Sequence, residues 1–244
     1  MTAHVHYPSP SPRLAQPVLA ARGLTKTYGM TTALAGVDLD LWAGQSVAVM
    51  GASGSGKTTL LHCLAGIVRP SRGSILLTGP GGSLEVSAMS DRQRSQLRRE
   101  RFGFVFQEGL LIPELTAVEN VAMALMLRGV SRPEAEHHAA VWLQYLGLAG
   151  LEQRRIGQLS GGQAQRVAIA RAQVTGAEVV FADEPTGALD HGTSQEVMQA
   201  LLYATVGGGR TLVVVTHDET VAQQCARIVR LRDGAVVADS AVAA

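Results

Sequence analysis

Residues 51–58 read Gly-Ala-Ser-Gly-Ser-Gly-Lys-Thr, an octapeptide that fits the pattern G-x-x-x-x-G-K-[ST]. Glycines permit unusual backbone angles, so several consecutive N–H groups can point at one anion. A short apolar run ending at Met50 precedes this loop, and Thr59 to Ala65 is predicted to be a helix closed by Gly66. Because that helix would direct its positive end at the same anion, the segment predicts a nucleotide phosphate site on an α/β fold.

Two side chains of the octapeptide supply specific chemistry. Lys57 offers a mobile cation near the β and γ phosphates of a nucleotide, and Thr58 offers a hydroxyl to Mg²⁺. Among the 21 basic side chains only Lys26 and Lys57 are lysines, so a lysine inside the loop is informative. The loop residues predicted to bind the nucleotide are Gly51, Ser53, Gly54, Ser55, Gly56, Lys57, Thr58 and Thr59.

Two carboxylates follow the apolar strand predicted for Val179 to Ala182. Asp183 is suited to hold Mg²⁺, and Glu184 is suited to polarise a water for attack on the γ-phosphate. Taken alone, the pair would be better interpreted as two solvated acids at a strand end. The phosphate loop in the same chain favours the catalytic interpretation.

The composition excludes several functional classes. Of the 244 residues, 46% are hydrophobic and 17% charged, which excludes a chain disordered throughout. The net charge is +1 and aromatic residues make up 4%, so we predict no nucleic-acid partner. Cys63 and Cys225 are far apart in sequence, which argues against a disulfide scaffold or structural zinc. No apolar stretch approaches the ~20 residues of a membrane span, so we expect a soluble, cytoplasmic chain.

The sequence pattern divides the chain into a tail and one domain. Residues 1–16 are rich in Pro and Ser and predict a flexible tail, whereas 17–244 predict a single domain. Strand patterns in 17–112 and 176–244 flank a mostly helical segment, 113–175, which predicts an α/β core with a helical insertion. The predicted capping boxes pair Ser90 with Gln93, Thr116 with Glu119, and Ser131 with Glu134.

Other classes of phosphate-loop protein fit less well. A GTPase needs the guanine motif N-K-x-D, but the only asparagine, Asn120, is followed by Val121, which excludes that class. A small-molecule kinase usually carries an arginine-rich lid. The cluster formed by Arg92, Arg94, Arg98, Arg99 and Arg101 fits either such a lid or a solvated helix face.

Seven motifs resemble, in order, those of the ATP-binding cassette (ABC) ATPases. The stretch 159–163, Leu-Ser-Gly-Gly-Gln, is identical to the signature motif of that family. The other six resemble an A-loop aromatic at Tyr28, Walker A at 51–58, a Q-loop at Gln107, the end of Walker B at Asp183-Glu184, a D-loop ending at Asp190 and a switch histidine at His217. The resemblance covers residues 18 to 240, which is nearly the whole chain.

This resemblance implies an α/β P-loop NTPase (RecA-like) core with an antiparallel β subdomain and a helical insertion, the ABC ATPase fold. It implies ATP and Mg²⁺ as cofactors and a sandwich of two chains, either a homodimer or a heterodimer with a second cassette. The implied catalytic residues are Glu184, His217 and Lys57, and the implied metal ligands are Thr58, Gln107 and Asp183. Beyond the loop, the implied nucleotide-binding residues are Tyr28, Gln107, Ser160, Gly161, Gly162, Gln163 and Asp190.

Several segments look like the lipoprotein-release and macrolide-export group, which includes cassettes of peptide-antibiotic resistance. They are Phe104–Gln107, Leu111–Pro113, Gln165–Ala172 and Ala182–Gly187. Such cassettes pair with a permease, which implies an ATPase subunit on the inner face of the bacterial membrane that drives export, lipoprotein extraction or mechanotransmission. The implied permease contact lies near Gln107 to Leu115, and a hydrophobic hinge within the chain is the simpler interpretation of that segment.

Two other functions remain open. A cytosolic ABC-type ATPase could act on nucleic acid or ribosomes, although such relatives generally carry fused cassettes, coiled coils or zinc insertions that this sequence lacks. An ATP-sensing module that does not hydrolyse ATP would lack the catalytic acid or the switch histidine. Glu184 and His217 are both present here.

Overall fold

The computed structural model describes residues 16–79, 81–107 and 109–241. The tail predicted for residues 1–16 therefore lies outside the described residues, except for Gln16. The strands are β1 (Leu19–Tyr28), β2 (Thr31–Leu41), β3 (Ser46–Met50), β4 (Arg72–Gly79), β5 (Gly82–Glu85), β6 (Phe102–Phe106), β7 (Val179–Asp183), β8 (Thr211–Val215), β9 (Arg227–Arg232) and β10 (Ala235–Asp239).

Seven α-helices alternate with or follow these strands in the described part of the chain. They are α1 (Lys57–Leu64), α2 (Asp91–Arg101), α3 (Ala117–Met126), α4 (Arg132–Tyr145), α5 (Gly161–Gln173), α6 (His191–Thr205) and α7 (Glu219–Ala222). Short 3-10 helices occupy Val86–Ala88 and Ile156–Gln158. None of the described helices combines the length and the apolar character that a membrane crossing requires.

A six-stranded, mostly parallel sheet forms the centre of the fold, with the order β10-β9-β3-β8-β7-β6. Only the β9–β10 pair in it is antiparallel, and these two strands form a hairpin at Asp233-Gly234, a dipeptide that favours such turns. The carboxyl ends of β3, β6, β7 and β8 consequently meet at one edge of the sheet. Ligands of open α/β sheets bind at this edge, so the fold gathers the predicted site residues there.

A second, antiparallel sheet has the order β2-β1-β4-β5. The apolar patterns of Val18 to Ala21 and of Leu34 to Leu41 predict only part of its strands β1 and β2, and no pattern predicts β5. β5 is exposed along its whole length, so it has no apolar alternation from which a strand could be recognised. The combination of the two sheets with the helices confirms the predicted ABC ATPase fold class.

The parallel sheet is buried on both faces, and successive residues of its strands enter different hydrophobic clusters. In β8, Leu212 and Val214 pack with α3, α5 and α6, whereas Val213 and Val215 pack with α1 and the antiparallel sheet. This two-sided burial explains why the central strands read as continuous apolar runs.

Two of the three predicted capping boxes are confirmed. Ser90 with Gln93 begins α2, and Thr116 with Glu119 begins α3, each with both reciprocal hydrogen bonds. The third prediction is wrong: Ser131 precedes α4, but its side chain caps nothing. Pro133 in the first turn of α4 has no N–H, which leaves one donor fewer to satisfy at that end.

Candidate active site

The phosphate loop runs from the end of β3 to the start of α1, as the sequence predicts. Glycine is required at position 51, because a Cβ there would lie 2.3 Å from the carbonyl oxygen of Leu231. Gly56 has a φ of +100°, and a Cβ on it would lie 2.3 Å from the Ala33 carbonyl oxygen. The loop therefore packs tightly against β9 and β2, with its outer face open to a ligand.

A cavity of about 530 Å³ lies over this loop. It is lined by Ala33, Ser53, Gly54, Gly56, Lys57, Thr58, Thr59, Glu184 and His217. Beside it, the Ser55 hydroxyl is buried and has no hydrogen-bond partner among the described residues. Lys57 is 8% exposed, and its Nζ donates to the carbonyl oxygens of Gly51 (2.8 Å) and Ala52 (2.9 Å). The glycine cradle, the unpartnered hydroxyl and the lysine suit a polyphosphate.

Asp183 ends β7 directly beside the first turn of α1. Thr58 Oγ1 donates to Asp183 Oδ1 over 3.3 Å, so two of the three predicted metal ligands lie together. Burial, as the main cause, raises the pKa of the Asp183 carboxyl above its usual range. One carboxylate and one hydroxyl fit Mg²⁺, which usually takes one or two carboxylates together with nucleotide phosphates and water.

Glu184 has an unusual backbone for its residue type. Its φ is +47°, in the left-handed region that residues other than glycine rarely adopt. The N–H of Glu184 donates to Val215 O on β8 (2.9 Å), and the N–H of Gly187 donates to Glu184 O (3.1 Å). These bonds hold the conformation, and it brings the Glu184 carboxylate to the wall of the cavity.

His217 follows β8 and lies against the same carboxylate. Its Nδ1 is 2.9 Å from Glu184 Oε1, and its side chain is 71% exposed, compared with 20% for Glu184. A proton shared across this contact lets the imidazole orient the carboxylate. The pair therefore has the arrangement of a general base with an orienting partner.

An adjoining cavity of about 320 Å³ is lined by Gln107, Phe106 and Leu110. Three residues of the phosphate site line it as well. Those three are Thr58, Asp183 and Glu184. Tyr28, by contrast, is half exposed at the end of β1 and does not line the phosphate cavity. Lys26 Nζ lies 5.0 Å from the centre of the Tyr28 ring.

The predicted signature residues lie at the start of α5 and do not line the phosphate cavity of their own chain. Ser160 is the N-cap of α5 and forms a capping box with Gln163. Gly162 allows α5 to approach α6, because a Cβ on it would lie 2.5 Å from Thr193 Cγ2. Asp190 caps α6 through the N–H of Thr193 (3.0 Å), so the predicted D-loop adjoins the signature.

The arginines considered as a kinase lid have other contacts. Arg94 pairs with Asp91, Arg98 donates to the Gly66 carbonyl oxygen, and Arg101 pairs with Glu178. None of the five arginines lines the phosphate cavity, which removes the support for a kinase lid.

A family model described as ABC transporter matches residues 34–187, more than half of the chain. The chain belongs to the ABC transporter family. As a member of the ABC transporter family it is an ATP-binding ATPase, which confirms the predicted enzyme class and the predicted nucleotide.

Curated relatives and solved structures are consistent with this family. The chain is 45% identical over 229 residues to the macrolide export ATP-binding/permease protein MacB of Nitrosomonas europaea, with 92% of this chain and 34% of that protein covered. It is 44% identical over 230 residues to the pyoverdine export ATP-binding/permease protein PvdT of Pseudomonas aeruginosa, with 92% and 34% covered. The chain thus spans about a third of the length of these relatives.

Among solved structures, the ATP-binding cassette MJ0796, in a dimeric post-hydrolysis state with ADP and Pi, is 37% identical with a TM-score of 0.81. That match covers 91% of this chain and 97% of MJ0796. The cassette cbiO1 of Clostridium perfringens is 28% identical with a TM-score of 0.81, covering 92% of this chain and 88% of the other.

Sequence reasoning missed some features of the site. The capping box of Ser160 and Gln163 has the spacing recognised elsewhere in the chain, so the same rule would have found it. The left-handed backbone of Glu184 and the place of Ala33 in the cavity wall have no local sequence signal, since both depend on neighbouring strands.

Proposed function

We propose that the chain is the ATP-hydrolysing subunit of a bacterial export-type transporter, bound to the inner face of the membrane through a permease. The observation that carries this proposal is the convergence of Thr58, Asp183, Glu184 and His217 around one glycine loop. The names of the export relatives support export as the direction, with lipoprotein extraction and mechanotransmission as related forms of the same work.

In the proposed reaction, Glu184 accepts a proton from a water while the water oxygen forms a bond to the γ-phosphorus. The bond from that phosphorus to the β–γ bridging oxygen breaks, and ADP and inorganic phosphate leave. His217 orients the Glu184 carboxylate through their 2.9 Å contact, and Lys57 transfers its hydrogen bonds from the loop carbonyls to phosphate oxygens. Bound Mg²⁺ supplies charge neutralisation at the phosphates, with Thr58, Asp183 and Gln107 as the proposed ligands.

The site is proposed to be complete only in a pair of chains. The N-terminus of α5 can bind an anion through its free N–H groups, yet Ser160 does not line the cavity of its own chain. We assign Ser160, Gly161, Gly162, Gln163 and Asp190 to ATP held by the partner cassette. The dimeric MJ0796 structures support a pair. The segment 113–175 is proposed as the helical subdomain that carries this signature.

The docking loop, defined here as residues 107–115 except for Glu108, which the structure does not describe, is the proposed permease contact. Leu110 is 59% exposed, whereas Leu111 packs against the helical core. An exposed leucine beside the ATP site suits contact with an apolar permease segment. Because Leu110 is more accessible than Leu111, it is the better position at which to test docking.

Replacing Leu110 by Asp is expected to reduce binding of the cassette to its permease at least tenfold. An unpaired carboxylate would have to be buried in the contact, whereas the left-handed backbone of residue 110 tolerates Asp. The measurement is the affinity of the cassette for its permease, solubilised in detergent. Val237→Asp, on exposed β10, is the matched control and is expected to bind normally. An unchanged affinity of Leu110→Asp would contradict docking at this loop.

A further inference from the structure

Side chains from α3 and α5 bind the backbone of the docking loop at several points. Asn120 on α3 is fully buried, and its Oδ1 accepts from the Ile112 N–H (2.8 Å). Its Nδ2 donates to the carbonyl oxygens of Ile112 (3.0 Å) and Thr116 (3.0 Å). On α5, the buried Gln165 donates through Nε2 to Phe106 O (2.8 Å), just before the loop begins. Both ends of the loop are thus attached to the helices.

The centre of the loop is held by Arg171 of α5. Its guanidinium donates to the carbonyl oxygens of Gly109 (2.6 Å) and Leu110 (2.7 Å). Burial lowers the pKa of Arg171, but arginine remains charged at any physiological pH. The positive charge of Arg171 strengthens both of these hydrogen bonds to carbonyl dipoles.

The carbonyl groups that Arg171 binds belong to a strained turn. Leu110 has a φ of +45°, which a leucine rarely adopts, and Gly109 before it has a φ of +67°. A left-handed residue with a side chain persists only where surrounding contacts determine it. The two charge-assisted hydrogen bonds act on this turn directly, together with the bond from the Gly109 N–H to Phe106 O (2.9 Å).

We propose that Arg171 is a positioning residue that holds Leu110 in its left-handed conformation and thereby presents the leucine side chain to the permease. This proposal rests on the proposed docking function of the loop. It adds that the shape of the docking surface depends on α5, the helix that begins at the signature residue Ser160. A shift of α5 therefore moves the turn that carries Leu110.

Amide hydrogen exchange of the isolated chain tests the positioning role without a permease. In Arg171→Met, the amides of residues 109–112 are expected to exchange about tenfold faster, since charge-assisted bonds to the turn are lost. Arg128→Met is the matched control, because Arg128 also donates to a backbone carbonyl, that of Thr175 after α5. This control should leave the exchange rates of the amides of residues 109–112 unchanged. Unchanged exchange in Arg171→Met would overturn the inference, whether or not a permease binds there.

A double variant tests whether Arg171 acts by holding the backbone of residue 110 in the left-handed conformation. Asparagine adopts the left-handed region more readily than leucine, so Leu110→Asn is expected to restore at least half of the lost protection in the Arg171→Met background. If Leu110→Asn brings no slowing of exchange, Arg171 does not act through the backbone of residue 110, and the inference is wrong.

Measurements of permease binding distinguish a failure of this inference from a failure of the proposed docking function. Arg171→Met is expected to bind the permease about tenfold more weakly, while ATP hydrolysis without permease stays within about twofold of the original chain. Normal binding by Arg171→Met together with weak binding by Leu110→Asp would overturn the positioning role and leave docking intact. Normal binding by both variants would remove the docking function itself.

Discussion

Glu184 combines the chemistry of a base with a backbone that its residue type disfavours. Conformations of this kind cost about 1–3 kcal/mol and persist where other contacts hold them. Here β8 supplies one of those contacts through Val215, and β8 also leads directly to His217. The strain therefore brings the carboxylate and the imidazole together over the phosphate loop.

Replacing Glu184 by Gln is expected to lower ATP turnover by roughly 10²- to 10⁴-fold, because the amide cannot accept the proton of the attacking water. The measurement is phosphate release at saturating ATP and Mg²⁺. Glu196→Gln, at an exposed position of α6, is the matched control and should hydrolyse ATP at the original rate. Normal turnover by Glu184→Gln would show that another group accepts the proton.

The types of the site residues were predictable, but their conformations were not. Lys57 and Thr58 were assigned from the spacing of the phosphate loop, and Asp183 and Glu184 from their place after an apolar strand in a chain that carries that loop. That Lys57 binds the carbonyls of its own loop, and that Glu184 is left-handed, depends on contacts distant in sequence.

At the scale of elements, the order of the parallel strands explains why the site residues lie together at one edge of the sheet. Runs of apolar residues predicted the central strands because both faces of the parallel sheet are buried. The edge strand β5 and the ends of β1 and β2 that adjoin their connecting turn were missed, since these mostly exposed segments lack that pattern. Capping boxes predicted two helix starts and failed at α4, where Pro133 changes which N–H groups need a partner.

The β9–β10 hairpin offers a test of element stability. Arg227 is 6% exposed and binds both carboxylate oxygens of Asp239, at 2.8 and 2.5 Å. These hydrogen bonds, as the main cause, lower the pKa of Asp239. A lowered pKa in the folded state stabilises the protein above the unfolded value of ~3.9, and this stability is lost as the pH falls through the folded pKa.

Asp239→Asn is accordingly expected to reduce the free energy of unfolding by about 1 kcal/mol at pH 7, allowing for solvent screening. The loss should shrink towards pH 3, where the carboxyl of the original chain is itself becoming protonated. Urea unfolding at the two pH values measures it. Glu219→Gln, which breaks an exposed pair with Arg230 near the same hairpin, should change little at either pH. A loss independent of pH would contradict the ion-pair explanation.

At the scale of the whole molecule, two of the described helices have N-termini suited to phosphate, and one of these two faces the cavity of its own chain. α1 starts at the loop, whereas α5 starts at Ser160, outside that cavity. The sequence predicted this division through the family resemblance. The sequence pattern does not specify the proposed partner chain or the proposed permease, because exposed residues follow no apolar periodicity.

The mass of the Glu184→Gln variant in solution tests the shared site most directly. With saturating ATP and Mg²⁺, light scattering should give twice the mass of one chain, and with ADP the mass of a single chain, because the γ-phosphate is proposed to link the loop of one chain to Ser160 of the other. Adding Ser160→Arg should abolish the ATP-dependent doubling. A Glu184→Gln chain that stays single at saturating ATP, or a pair that survives Ser160→Arg, would contradict an ATP site built from two chains.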